Sequence, residues 1–154
     1  MEGLKQMNLK DLMDNYVLWV AVASWLLAQF LKVFFYALRY RTFSLERLLG
    51  AGGMPSSHTS TVCGLTVAVA RVCGLGSPMF AIALVVAGVV MYDASGVRRA
   101  AGEQAKVLNR LVFERHGPDE TEKMLKELLG HTPLEVFGGA VLGILLALII
   151  PMPV

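Results

Sequence analysis

Long apolar runs, separated by short polar ones, set the pattern of the chain. The first reads YVLWVAVASWLLAQFLKVFFYAL from Tyr16 to Leu38, long enough as a helix to cross a hydrocarbon core of about 30 Å at roughly 1.5 Å per residue. A second covers Thr59 to Gly76, with Arg71 near its far end, where a long side chain can snorkel toward the interface. The third is Pro78 to Val97, and the fourth, Pro133 to Ile150, ends at Pro151. Between the third and fourth lies the main soluble piece, 98–130. Its first half carries Val107, Leu108, Leu111 and Val112 as a helical stripe on a polar background. After the break at His116-Gly117-Pro118, DETEKMLKELLG is acidic in its first turn, basic later and closed by Gly130, the punctuation of a second helix. The expectation is an all-α integral membrane bundle of about four transmembrane helices, one domain over 1–154, with two surface helices in its 98–130 loop. The second span also has the length of a re-entrant half-helix. The loop fits either helices lying on the membrane face or a lid over a site.

Composition sharpens this class. The 154 residues are 55% apolar and 17% charged, with a mean hydropathy of +0.58, whereas soluble domains carry about 25% charged residues. Disorder, a coiled coil and a secreted disulfide scaffold are excluded. The net charge of +2 gives no ground for a nucleic-acid partner. Cys63 and Cys73 lie in an apolar stretch and read as buried thiols. The mixed-charge segment before Tyr16 has no small-residue cleavage site, so no removable signal peptide is expected.

Charge placement orients the bundle. With four spans, Lys5, Lys10 and Arg71 fall on one side. Arg39, Arg41, Arg47, Arg98, Arg99, Lys106, Arg110, Arg115, Lys123 and Lys126 fall on the other. The positive-inside rule then puts the second group in the cytoplasm and both termini outside.

The polar residues that a membrane span avoids cluster at that cytoplasmic end. Lys32 lies within the first span, and Arg39 follows two turns later on the same face. Gly52 to His58 forms a tight loop into the second span. Asp93 sits near the end of the third, closed by Arg98 and Arg99, and Gly130-His131-Thr132-Pro133-Leu134-Glu135 opens the fourth. Cations and two histidines beside helix N-termini ask for an anion, because helix starts present unpaired N–H groups and partial positive charge. Guanidinium forks suit phosphate oxygens, and two imidazoles can divide attack and protonation between them. A metal site at His58, His131 and Asp93 or Glu135 is disfavoured by the surrounding cations, and no cofactor is expected.

These residues resemble the type-2 phosphatidic acid phosphatase and vanadium haloperoxidase superfamily, and within it a short, divergent membrane branch. The superfamily's first motif is lysine, six residues, arginine, proline; Lys32 and Arg39 keep the spacing, with Tyr40 in place of proline. Its second is Pro-Ser-Gly-His, matched by Pro55-Ser56-Ser57-His58 with a serine for glycine. In its third, a serine-arginine pair precedes histidine and aspartate; His131 and Glu135 keep the second half, while Ser95 to Arg99 lies more than thirty residues upstream. The resemblance runs from Lys32 to about Gly143. It implies that Lys32, Arg39, Ser56, Ser57 and Arg98 or Arg99 hold phosphate. It implies further that His131 attacks phosphorus, His58 protonates the leaving group and Glu135 orients His131, with Asp93 pairing an arginine or sharing the orienting role. Substrates would be lipid phosphates or polyprenyl diphosphates, hydrolysed without metal.

Each residue has a plainer reading. Thr132 to Glu135 is also a capping box with Pro133 at the first helical position, and Ser56 also fits a helix cap. Lys32 also fits a snorkelling lysine, and Arg98 and Arg99 fit membrane anchors. A second function class stays open: a lipid-phosphate binding or transport protein that keeps the anion site without hydrolysis. Gly139 and Gly143 form a small-xxx-small pair, which suits a homodimer through that face.

Overall fold

A computed structural model describes residues 9–41, 53–116, 125 and 130–152. Every element among them is helical: α1 (Leu9–Met13), α2 (Tyr16–Tyr40), α3 (Ser57–Cys73), α4 (Pro78–Ser95), α5 (Val97–His116) and α6 (Pro133–Ile149). The sequence punctuates the start of each of the four apolar helices. Asn15, Ser56, Ser77 and Thr132 are N-caps whose side chains accept an amide three residues on, and Pro78 and Pro133 occupy the first turn, where a missing N–H is harmless. The four apolar stretches are all helices. The second is one uninterrupted helix of 17 residues.

The packing is inverted relative to a water-soluble bundle. The largest fully buried side chains are Val20, Thr59, Ser24, Ser56 and Ser60, while Phe30 is 64% exposed and Val85 65%. Large apolar residues cover the outside of α2, α4 and α6, and small or hydroxylated residues fill the inside. In water such a surface marks a binding or aggregation site. Against lipid it is neutral, and close backbone packing through small residues becomes the main cohesive force. This is a membrane helical bundle.

Helix α3 is its hub, packed on α6, α2 and α4. A Cβ on Gly64 would sit 3.1 Å from the Ser24 Cβ, and one on Gly143 would sit 2.9 Å from the Gly64 nitrogen. Buried hydroxyls are satisfied locally and across helices. Ser24 donates to the Val20 carbonyl at 2.8 Å and Ser60 to the Ser24 carbonyl at 3.1 Å. Thr66 donates to the Val62 and Ala83 carbonyls. Gly139 and Gly143 are buried against α3 within the same chain. The face expected to join two copies is therefore consumed inside one, and a dimer would need another surface.

At the end opposite the histidines, Arg71 does not snorkel outward. Its guanidinium donates to the Tyr16 hydroxyl, the Ala147 carbonyl and the Ile150 carbonyl, tying α3 and α2 to the C-terminus of α6, where a cation suits the helix dipole. In the 98–130 loop, α5 is the first expected surface helix and keeps Val107, Leu108 and Leu111 exposed. It begins directly after α4, with only Gly96 between them. Buried Asn109 bonds both backbone groups of Leu125 at 2.9 Å. The second expected helix, over 119–130, lies outside the described residues apart from Leu125 and Gly130.

Candidate functional site

The N-termini of α3 and α6 and the C-terminus of α4 meet at one end of the bundle. Between them lies a cleft of about 220 Å³ lined by His58, Val89, Val90, Asp93, Ala94, Arg98, Gly130 and His131. His58 stands on the first turn of α3, exposed, within electrostatic reach of Arg98, Lys32 and Asp93. His131 precedes α6 and is only 4% exposed.

The position of His131 is fixed on both sides. Its amide donates to the Ala94 carbonyl at 2.9 Å, tying it to the last turn of α4. Its Nδ1 lies 3.2 Å from Glu135 Oε2. That same oxygen accepts the Thr132 amide at 2.9 Å, while the Thr132 hydroxyl accepts the Glu135 amide at 3.3 Å. The capping box and the carboxylate–imidazole pair, set as rivals by the sequence, are therefore one arrangement, with a single carboxylate serving both. A carboxylate facing Nδ1 favours the proton on that nitrogen and leaves the Nε2 lone pair free. Burial pushes the His131 imidazole below the ordinary histidine value; the Glu135 carboxylate pulls it back up, and Lys32 and His58 add to the lowering.

Gly130 makes this placement possible. It adopts φ +83, and a Cβ there would fall 2.7 Å from the Arg98 carbonyl carbon and the Arg99 Cα, so the chain crosses directly over the start of α5. Gly53 plays a similar part at Lys32. It has φ +91, and a Cβ would sit 3.2 Å from the Lys32 Cγ. The loop before α3 thus lies on the lysine stem, and Lys32 is 4% exposed. Both glycines fall inside the motif segments of the sequence, but nothing in those motifs points to the Ala94 carbonyl as the partner of the His131 amide.

Arg98 Nε bonds Asp93 Oδ2 at 2.5 Å. Residues five apart do not face each other on an unbroken helix; the interruption at Gly96 lets Arg98 turn back over the end of α4. Ser56 is fully buried, and its hydroxyl accepts the Thr59 amide and the Thr59 hydroxyl as a cap, while its own amide donates to the Glu135 carbonyl at 3.0 Å. Ser57 is buried beside it. The structure thus brings His58, His131, Asp93 and Arg98 to one cleft, with Glu135 behind His131 and Lys32 within electrostatic reach of both imidazoles. Arg39 and Arg99 are exposed and do not line it. The Arg39 guanidinium lies 5.8 Å from the centre of the Tyr40 ring.

Comparison with known proteins adds two findings. Residues 13–146 match the sequence pattern of the family described as the Divergent PAP2 family. The chain is also 41% identical, over 152 residues, to the uncharacterized membrane protein YuiD of Bacillus subtilis (strain 168), covering 91% of this chain and 96% of that one. No solved structure matches.

Proposed function

The chain belongs to the Divergent PAP2 family, and on that premise we propose that it is a membrane phosphatase acting on lipid phosphates or diphosphates, polyprenyl diphosphates among them, through a phosphohistidine. The observation that carries the reading is the buried His131 imidazole, bonded at Nδ1 to Glu135 and opening on a cleft that also holds His58 and Arg98.

The chemistry follows from that placement. The Nε2 lone pair of His131 attacks phosphorus, and the bond to the leaving oxygen breaks as His58 gives that oxygen its proton. Glu135 holds the Nδ1 proton and offsets the positive charge that builds on the imidazole. Arg98 leaves Asp93 to grip the phosphoryl oxygens, and Lys32 supplies positive potential from beneath, so charge spreading over those oxygens meets a fixed cationic field. His58, now neutral, takes a proton from water; the hydroxide oxygen displaces His131 and releases phosphate. The distribution of basic residues supports a cleft on the cytoplasmic side with both termini outside.

The test is phosphate release from lipid phosphates and diphosphates by the purified protein. Turnover abolished in His131→Ala and strongly reduced in His58→Ala supports the proposal. Lipid-phosphate binding by the wild type with no turnover would replace it with the binding or transport reading.

A further inference from the structure

A second hollow opens in the lipid-facing wall. It is an apolar groove of about 660 Å³ between α4 and α6, floored by α3. On α4 it is lined by Phe80, Leu84, Ala87 and Met91, a spacing of four, three and four that marks one face of a helix. The next position on that face is Ala94, which lines the cleft and accepts the His131 amide. Groove and cleft share no lining residue, but Met91 of the groove lies within one turn of Val90 and Ala94 of the cleft. From Ala94 to Phe80 the helix rises about 21 Å at 1.5 Å per residue, more than the roughly 15 Å that one leaflet of the hydrocarbon core provides. The far end of the groove is lined by Arg71, whose guanidinium is held by Tyr16 and the last carbonyls of α6. A charged guanidinium there interrupts the apolar lining, and burying it further against methylenes costs solvation.

Building on the phosphatase reading, we propose that this groove seats the hydrocarbon chain of the phosphorylated substrate and that the Arg71 clamp sets the chain length. With its phosphate between His58 and His131, the substrate has an apolar path along the Ala94-to-Phe80 face of α4. Cleft and groove together span more than a leaflet, so a chain that fills both passes the bilayer midplane, which distinguishes it from the lipid that merely surrounds the protein.

The experiment has two arms on the full-length protein. The first measures kcat/KM for n-alkyl monophosphates from octyl to eicosyl. It should rise with chain length and stop rising once the tail reaches Arg71. Ala87→Trp, which obstructs the groove midway, should cut the long-to-short preference by about tenfold or more, whereas Val85→Trp, on the exposed face of α4, should keep it. A preference unchanged in Ala87→Trp overturns the proposal. The second arm photo-cross-links hexadecyl phosphate carrying a diazirine on its terminal carbon, in phosphatidylcholine vesicles. Label is expected at Leu75, Phe80 and Leu148, the Arg71 end of the groove. Label scattered over the outer faces of α2 and α4 overturns the groove even where phosphate is released. Label in the groove with no release from any alkyl phosphate overturns the phosphatase reading and leaves the groove standing.

Discussion

Replacing Gly130 with alanine should disable the site, and two separate effects add at this position. Gly130 holds φ +83, a left-handed conformation that costs an L residue about 1–2 kcal/mol. The new Cβ would fall 2.7 Å from the Arg98 carbonyl carbon and the Arg99 Cα, and closer still to the Arg99 nitrogen. These are backbone atoms at the start of α5, so relief requires the Gly130–His131 segment to move, and overpacking of this kind costs about 1–3 kcal/mol. The two together come to about 2–5 kcal/mol. The shift passes straight to His131, whose amide is bonded to Ala94 at 2.9 Å, and a displacement near 1 Å at a reacting group costs about a hundredfold in rate. Gly74 is the control. It has φ +81 with nothing within 4 Å of its Cβ, and it follows the opposite end of α3. Gly74→Ala therefore carries only the backbone cost of about 1–2 kcal/mol. Thermal unfolding in detergent, read beside phosphate release, separates the two variants: Gly130→Ala should lose about a hundredfold or more in turnover, and Gly74→Ala should lose only stability. Undiminished turnover in Gly130→Ala, or an equal loss in Gly74→Ala, refutes the reasoning.

Other perturbations read other parts of the account. Glu135→Gln keeps the capping box, since glutamine also caps, but removes the carboxylate that raises His131. The imidazole then becomes harder to protonate, and the acid limb of the kcat/KM profile should move to lower pH while the plateau falls; a limb that stays in place or moves up contradicts the pairing. Asp93→Asn frees Arg98, so inorganic phosphate should inhibit more tightly, by about fivefold at most because the pair is partly exposed. Arg71→Ala leaves the α6 carbonyls without their charged donor and should destabilise the bundle by about 1.5–3 kcal/mol, with Arg71→Lys recovering part of the loss in a thermal unfolding assay.

What the sequence disclosed follows from the range of each interaction. The four apolar helices were legible because lipid makes apolar length diagnostic and because each of those starts carries its own cap. The His131–Glu135 pair was legible because residues four apart share a helix face. Its capping and orienting roles look exclusive in sequence, yet one Glu135 oxygen faces both the Thr132 amide and His131 Nδ1. The role of Arg71 was hidden because its partners, Tyr16 and the end of α6, are 55 and more residues away in the chain. Gly139 and Gly143 signalled close packing but not its partner: the small-xxx-small pattern is the same whether the facing helix is α3 or a second copy. The sequence offers Asp93 an arginine partner without fixing which, because the Arg98–Asp93 contact depends on a helix break at Gly96 that the apolar pattern runs across.

The central claim is that His131 carries the phosphoryl group. The most direct measurement is a base-stable, acid-labile radiolabel on the protein after a brief reaction with phosphate-labelled substrate, quenched in alkali and mapped by peptide. The account predicts label on His131, absent from His131→Ala and accumulating in His58→Ala when the leaving group needs no proton. Label on another residue, or phosphate released at the wild-type rate by His131→Ala, would contradict it.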